Sequence, residues 1–243
     1  MQICIIGTGY VGLVQGVVMS EFGMHVICVD IEEEKINMLN KGMLPIYEPG
    51  LKELMDKNVN EGRLKFSTNM KEAIETSNII FLAVGTPEKE DGNADLTYVF
   101  QVAECIGKYM NEYKVIVDKS TVPVGTGKKV HEIIQKILSE RKMDIKFDVV
   151  SNPEFLREGK AVKDCLTPDR VVIGTESEKA KNIMRKVYDV LYINQTPFLF
   201  TNMHPSTSIN SMEASLIASF TLSIETVFSL SEFTFIYQLL AFR

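Results

Sequence analysis

The sequence predicts an α/β fold built on a doubly wound parallel sheet, and three observations lead to this prediction. A glycine-rich turn joins an apolar run to a helical pattern within the first 12 residues. Apolar runs typical of buried parallel strands then alternate with helical patterns as far as residue 150. Polar or glycine-rich turns follow several of these runs, at the edge of the sheet where open α/β folds bind their ligands.

The first strand, turn and helix are encoded between Gln2 and Asp30. The apolar run from Ile3 to Ile6 leads into the motif Gly7-Thr8-Gly9-Tyr10-Val11-Gly12. In such a motif the first glycine permits a tight turn, the second lets the backbone approach a pyrophosphate, and the third lets the helix pack closely on the strand. Unpaired N–H groups at the start of the helix add a site for phosphate.

A carboxylate ends the second apolar run. Asp30 lies roughly 20 residues past the last glycine, where an acid accepts hydrogen bonds from an adenosine ribose and repels the 2′-phosphate of NADP. A glycine-rich turn of some other α/β domain is the alternative, but the strand, the helix and the acid together favour a dinucleotide site. The sequence therefore predicts NAD as the cofactor.

The later elements follow from the same alternation. Helices are predicted over residues 32–40, 51–58, 96–109 and 127–141, and strands over residues 64–66, 79–84, 114–117 and 147–150. The first of these helices has an acidic first turn, which suits the helix dipole. Lys35, just beyond it, lies either near the adenosine position or in solvent.

Two acids follow the last of these strands. Glu154 and Glu158 are four residues apart, a spacing that predicts one shared face of a helical turn at the mouth of the cofactor cleft. A carboxylate there acts as a base or orients water, and the alternative is a pair of solvated acids.

Composition narrows the function. The net charge of −6 argues against nucleic acid as the main partner, and 45% apolar with 24% charged residues is typical of a soluble globular protein. The first predicted strand begins at residue 2 and leaves no room for a leader sequence, so a cytoplasmic protein is expected. Cys4 and Cys28 lie in predicted strands as small buried hydrophobes, and the cysteines and histidines lack metal-site spacing.

Five ordered motifs resemble the UDP-glucose 6-dehydrogenase family of nucleotide-sugar dehydrogenases. They are IGTGYVGL (6–13), VGTP with DGNADLTYV (84–99), KSTVPVGT (119–126), SNPEFLREGKA (151–161) and PDRVVIG (168–174). The resemblance extends from Met1 to about Met203 and is specific because the motifs occur in this order. It implies a Rossmann-type NAD-binding domain over residues 1–203.

The resemblance implies oxidation of UDP-glucose to UDP-glucuronate in two steps, as used in polysaccharide biosynthesis. NAD takes a hydride from C6, and a cysteine thiol captures the aldehyde as a thiohemiacetal. A second NAD oxidises this adduct to a thioester, which water hydrolyses. Covalent capture holds the reactive aldehyde while the cofactor exchanges.

Roles for single residues also follow from the resemblance. The cofactor-binding set that it implies is Gly7, Gly9, Tyr10, Val11, Gly12, Asp30, Lys35, Thr86, Thr121 and Glu158. The catalytic set is Thr121, Glu154 and Glu158, where Thr121 helps to hold a water and Glu154 assists proton transfer or hydrolysis. The wall of the substrate site is Glu154, Phe155, Leu156, Arg157 and Glu158.

The sequence departs from the family after Met203. The family continues with a dimer-forming helix that carries a substrate-binding lysine and asparagine, and then with a UDP-binding domain that holds the nucleophilic cysteine. Neither is recognisable here. We therefore expect an NAD-binding chain that is impaired in turnover and whose homodimer helix is in doubt.

The tail, residues 204–243, has no lysine or glycine and is rich in serine and phenylalanine. We interpret it either as a divergent helix or as the product of an altered reading frame. In structure, the tail is expected to be helical or disordered. The lack of a sustained period favours an altered frame. A membrane span is not expected, because Glu213, Glu225 and Glu232 interrupt the apolar runs.

Two other functions stay open at this point. A UDP-N-acetylmannosamine or GDP-mannose dehydrogenase fragment would share the NAD half, although DGNADLTYV favours UDP-glucose. A non-catalytic module that binds NAD or a protein partner is the second alternative.

Overall fold

The computed structural model describes residues 1–89, 92–120, 122–123 and 125–201, which form one mostly parallel sheet covered by helices on both faces. Its strands are β1 (Gln2–Ile6), β2 (His25–Val29), β3 (Leu64–Ser67), β4 (Ile79–Leu82), β5 (Lys114–Asp118), β6 (Phe147–Ser151), β7 (Val171–Gly174) and β8 (Phe198–Thr201).

The strand order is β3-β2-β1-β4-β5-β6-β7-β8. Neighbouring strands are parallel except β6 and β7, which pair antiparallel at Ser151 and Gly174. The chain builds outward from β1 to β3 and then crosses back to β4. The carboxyl ends of β1 and β4 therefore flank the point where the order reverses, which is where such sheets form a ligand crevice.

The helices that connect these strands are α1 (Tyr10–Glu21), α2 (Glu33–Asn40), α3 (Leu51–Asn60), α4 (Met70–Thr76), α5 (Thr97–Tyr109), α6 (Thr126–Glu140), α7 (Ala161–Leu166) and α8 (Glu178–Val187). A 3-10 turn, Asp189–Asn194, follows α8. Among the described residues, no helix has the length and apolar character needed to cross a membrane.

The sheet has a separate hydrophobic core on each face. Ile3 and Ile5 of β1 pack with α1, while Cys4 and Ile6 pack on the opposite side with α5 and α6. Successive side chains of a strand point to opposite faces, so a strand buried on both faces is apolar at every position. This explains the continuous apolar runs, and the predicted burial of Cys4 and Cys28 is confirmed at 0% exposure.

The predicted doubly wound sheet is confirmed, with differences at its ends. β4 ends at Leu82, two residues before the predicted end at Val84, because the chain turns out of the sheet into the ligand edge. The sequence patterns did not predict α4, α7, α8, β7 or β8, which are short and follow no long period. The interpretation of residues 204–243 lies outside the described residues.

Candidate functional site

Two glycines hold the turn after β1 tightly against its neighbours. Gly7 has φ +101°, and a Cβ added there would lie 2.5 Å from the carbonyl oxygen of Ala83. A Cβ at Gly12 would lie 2.0 Å from the carbonyl oxygen of Gly7. Neither distance tolerates a side chain, so glycine is required for α1 to start directly on top of the turn.

Gly9 has a different environment from the other two glycines. It is exposed, it lines an open cavity, and a Cβ added to it would meet no protein atom within 4 Å. Within the described residues no side chain caps the first amides of α1. These N–H groups are thus open to an anion, and the missing side chain leaves room for it, which fits a dinucleotide pyrophosphate.

Asp30 is joined to the glycine turn by hydrogen bonds. Its Oδ2 accepts from the backbone N–H of Thr8 at 2.8 Å and from the Thr8 hydroxyl at 2.7 Å, and its Oδ1 accepts from the N–H of Glu32 at 3.1 Å. Burial by itself raises the pKa of the Asp30 carboxyl, but these hydrogen bonds and the Lys35 ammonium lower it below its ordinary value. Asp30 is therefore ionised, and Oδ1 keeps capacity for a ribose hydroxyl.

Lys35 and Ile31 lie beside this carboxylate. The Lys35 ammonium is 3.5 Å from Oδ2 of Asp30 and 2.7 Å from Oε1 of Glu32. Ile31 leaves 78% of its surface exposed directly after Asp30. An apolar side chain and a cation thus lie next to Asp30, and a role of Lys35 near adenosine stays a prediction.

A cavity of about 260 Å³ opens between the ends of β1, β4 and β5. The residues that line it are Gly9, Tyr10, Val11, Ala83, Val84, Gly85, Thr86, Lys119, Ser120 and Glu154. The fold thus brings Thr86 and Glu154 to the same place as Tyr10 and Val11, from which they are far apart in the sequence. Lys119 and Ser120 join them although the sequence had given neither a role.

The end of β5 is tied to β6 and α8 through one buried amide. Oδ1 of Asn152 accepts from the Lys119 ammonium at 3.3 Å and from the Tyr188 hydroxyl at 2.6 Å, and Nδ2 donates to the carbonyl of Val172 at 2.7 Å. Asn152 is 1% exposed. Asn152 thus links the Lys119 side chain, which lines the cavity, to β7 and to the end of α8.

The prediction that Glu154 and Glu158 share a helical turn is wrong. Residues 152–157 have irregular backbone, and a turn begins only at residue 158. Pro153 disfavours helical backbone in the residue before it, and the Glu154 carboxylate accepts from the N–H of Leu156, which fixes a non-helical bend. Glu154 lines the cavity, whereas Glu158 is exposed beyond it.

The other side chains of this predicted substrate wall point in different directions. Phe155 is 52% exposed, with the Arg170 guanidinium 4.6 Å from its ring centre. Leu156 packs against the core. Arg157 forms a two-pronged ion pair with Asp164, with Nη2 to Oδ1 at 2.7 Å and Nε to Oδ2 at 3.0 Å. This ion pair holds the segment against α7.

Glu48 was not singled out from the sequence, yet it lies directly behind the site. It is 3% exposed, and its carboxylate accepts from the Tyr10 hydroxyl and from the N–H of Gly159 at 2.8 Å. Burial first, and then the hydrogen bond to Glu48, raise the pKa of Tyr10 to about 12, so Tyr10 stays a donor. Glu48 thereby connects the loop before α3, the start of α1 and the segment before α7.

Burial disfavours the thiolate form of all four cysteines. Burial raises the pKa of Cys4, Cys105 and Cys165 and takes that of Cys28 to about 12. Burial also raises the pKa of Cys165 to about 12, while Lys119 lowers it and Glu154 raises it by smaller amounts. A thiol must be a thiolate to attack an aldehyde, so these values argue against each of them in covalent capture.

Four further residues show which parts of the site the sequence indicated and which it did not. Thr121, which the resemblance placed in both the catalytic and the cofactor set, lies outside the described residues. Thr8 was overlooked, although a hydroxyl inside the glycine motif was a visible signal. Nothing in the sequence distinguished Lys119 within the motif at 119–126, and Glu48 lies in none of the five motifs. The burial of a single charged residue cannot be read from the sequence. Among the described residues, no group of three or more His, Cys, Asp or Glu side chains is arranged to hold a metal ion.

Known proteins match this chain over most of its length. Residues 1–192 match the model of the UDP-glucose/GDP-mannose dehydrogenase family, NAD binding domain. The UDP-glucose 6-dehydrogenase TuaD of Bacillus subtilis is 50% identical over 208 residues, which are 86% of this chain and 44% of that protein. The chain thus spans about half the length of the curated relatives it matches.

Solved structures agree with the sequence matches. A UDP-glucose dehydrogenase from Pyrobaculum islandicum has a TM-score of 0.77 at 35% identity, covering 90% of this chain and 48% of that one. A ternary complex of GDP-mannose dehydrogenase from Pseudomonas aeruginosa has a TM-score of 0.78 at 33% identity, covering 92% and 51%.

Proposed function

Because the chain belongs to the UDP-glucose/GDP-mannose dehydrogenase family and carries its NAD-binding domain, we propose that it supplies the dinucleotide half of an enzyme that oxidises UDP-glucose to UDP-glucuronate. The proposal places the protein in the cytoplasm with UDP-glucose as its small-molecule partner. Homodimer formation through a helix after residue 203 depends on residues outside those described.

The observation that carries the proposal is the bond between the glycine turn and Asp30. Thr8 donates twice to Oδ2 of Asp30, which orients the carboxylate beside the open amides of α1. One element thus offers N–H groups to a pyrophosphate while the next offers an acceptor to the adjoining ribose. A negative charge at this place disfavours a 2′-phosphate, so NAD is selected over NADP.

The residues around the cavity have the remaining catalytic and binding roles in the proposed reaction. NAD held there would supply the acceptor for the hydride that leaves the alcohol carbon of the sugar. Glu154 lines the cavity, and in this proposal its carboxyl group receives a proton or orients a water there. Gly9 and Gly85 contribute no side chains, so the cofactor can enter without displacing protein atoms. The assignments of Thr86, Thr121, Glu158 and the residues 155–157 are part of the proposal.

Calorimetry with NAD and NADP tests the cofactor site. We expect the chain to bind NAD more tightly than NADP, and Asp30→Asn to reduce that preference by about tenfold or more, because the amide keeps an acceptor for Thr8 but loses the charge. Glu33→Gln, an exposed acid at the start of α2, is the matched control and should leave the preference unchanged. A folded chain without NAD affinity, or an Asp30→Asn variant with the original preference, would contradict the proposal.

A further inference from the structure

Two lysines are buried in β5 or directly after it, and they differ in how their ammonium groups are paired. Lys114, at the amino end, is 0% exposed, with Nζ 2.7 Å from the carbonyl oxygen of Ser77 and 3.3 Å from that of Glu75. Its Nζ is also 3.8 Å from Oε1 of Glu112. Lys114 therefore has two carbonyl acceptors and a carboxylate close to its charge.

Lys119, at the carboxyl end, is 5% exposed, and Oδ1 of Asn152 is its one hydrogen-bond acceptor among the described residues. An ammonium carries three donors, and a buried donor that lacks an acceptor is costly. Two of its hydrogens have no acceptor among the described residues, and the side chain lines the cavity. A buried, partly unpaired cation beside a cavity is suited to a ligand oxygen.

The position of Lys119 in the sheet identifies the part of the ligand that reaches it. The glycine turn follows β1, β4 is next to β1, and Lys119 follows β5. Neighbouring strands are about 4.8 Å apart, so Lys119 lies roughly two strand spacings from the pyrophosphate position, on the side away from Asp30. That separation is comparable to the length of one nucleoside, and in NAD the nicotinamide nucleoside is joined to the pyrophosphate on the side away from adenosine.

The cavity offers a donor and an acceptor together. Glu154 lines it with Lys119, and the attraction between the two opposes the loss of charge that burial imposes on the lysine. A carboxamide presents an acceptor oxygen and a donor NH₂ side by side, which matches an ammonium and a carboxylate. We infer that Lys119 binds the carboxamide oxygen of the nicotinamide ring and so makes the site select the whole dinucleotide over its ADP-ribose part.

Binding of NADH and of ADP-ribose by Lys119→Met tests this inference, which rests on the proposed NAD site. Methionine keeps the length of the side chain and removes the donor. We expect NADH affinity to fall about tenfold, as for loss of a hydrogen bond from a charged donor, while ADP-ribose affinity changes less than about twofold. NADH is the chosen probe because its ring is uncharged, which separates a lost hydrogen bond from relief of repulsion between lysine and the pyridinium of NAD.

The matched control is Lys114→Met, the other buried lysine of the same strand region. It should leave the affinities for both ligands unchanged, because its ammonium bonds carbonyls at the opposite edge of the sheet. Lys119→Gln, which retains a neutral donor, should lose less affinity for NADH than Lys119→Met and serves if the methionine variant does not fold.

The pH dependence gives a second readout. Burial lowers the pKa of Lys119 to about 8, and the titratable groups that face it are Glu154, Cys165 of α7 and, through Asn152, Tyr188. The charged donor is present below this pKa, so NADH affinity of the original chain should weaken as pH rises through about 8. That of Lys119→Met should not show this step.

The outcomes separate the two proposals. If the original chain binds neither NADH nor ADP-ribose, the cofactor site itself is refuted. If it binds both, but Lys119→Met keeps the original ratio of affinities or weakens both ligands equally, then only the role of Lys119 is refuted. A loss confined to UDP-glucose binding would likewise overturn it, because the oxygen would then belong to the sugar.

Discussion

One buried carboxyl group at the ligand edge of the sheet makes the free energy of unfolding depend on pH. Asp118, the last residue of β5, is 4% exposed, and burial raises the pKa of its carboxyl to about 7 against one opposing hydrogen bond from the N–H of Ser120. Its Oδ2 has no hydrogen-bond partner among the described residues. The folded protein therefore holds a proton on Asp118 under conditions where the unfolded chain has released it.

We predict that Asp118 makes folding less favourable as pH rises. The folded pKa lies above the unfolded value, so the group's stabilising contribution is full below about pH 4 and is lost as pH rises through about 7. Relative to the original chain, Asp118→Asn should gain roughly 2 kcal/mol between about pH 5 and about pH 8, since one pKa unit is about 1.4 kcal/mol.

Urea unfolding of both chains at the two pH values measures this difference. Asp144→Asn is the control, because that carboxyl is 91% exposed and forms only a surface ion pair with Lys146, and its stability relative to the original chain should not vary. A pH-independent difference for Asp118→Asn would show that the carboxyl titrates normally in the folded protein.

At the scale of elements, one buried carboxylate couples three segments around the cavity. Glu48 lies in the loop before α3 and bonds Tyr10 at the start of α1 and Gly159 before α7, which is 111 residues away in the sequence. α1 and α7 also pack against each other. The wall that carries Glu154 is thus positioned relative to the glycine turn by a residue that lies outside the cavity lining.

We predict that Glu48→Ala both destabilises the fold and weakens the dinucleotide site. Removal of the carboxylate takes the acceptor from the half-buried Tyr10 hydroxyl and from the N–H of the exposed Gly159, at a total of about 1–3 kcal/mol. The melting temperature should fall by about 5 °C or more. NAD affinity should fall as well, since Tyr10 lines the cavity.

Thermal melts and calorimetry on Glu48→Ala, Glu48→Gln and Glu53→Gln separate these effects. Glu48→Gln keeps one acceptor oxygen and should lie between the original chain and the alanine variant. Glu53, on the exposed side of α3, is the control and should behave as the original chain does. A Glu48→Ala chain with unchanged stability would contradict the coupling.

At the scale of the whole molecule, the chain has a cofactor site but no activated thiol. All four cysteines lie among the described residues, and burial raises the pKa of each. The family resemblance implies that a thiolate captures the aldehyde between the two oxidations. In the proposed function the described residues bind NAD, whereas the second oxidation that the resemblance implies needs a nucleophile that these thiols do not supply.

We therefore predict that the purified chain forms little or no NADH with UDP-glucose. The absorbance of NADH measures turnover, and UDP-N-acetylmannosamine and GDP-mannose should give no more than UDP-glucose does. Cys165→Ala should bind NAD as the original chain does, and Cys165 should resist alkylation in the folded state. Turnover at rates typical of enzymes, abolished by Cys165→Ala, would contradict this prediction.

The sequence by itself determined the fold from β1 to β6 apart from α4, together with the glycine turn and Asp30. These features are local: a strand buried on both faces is apolar throughout, and a turn that excludes any Cβ requires glycine at fixed spacing. For the same reason the order of short motifs was enough to indicate the family. The antiparallel contact of β6 with β7 had no such signal, because a four-residue strand fits many pairings.

Only the tertiary structure decided which distant groups share the cavity and how their charge is set. Glu154 was predicted on a helical turn, but Pro153 and the bond to the N–H of Leu156 place it in an irregular segment. Glu48, Asp118 and Lys119 are ordinary charged residues in the sequence. Their pairing, burial and pKa depend on strands and loops that are far away in the chain, so these properties exist only once the sheet has formed.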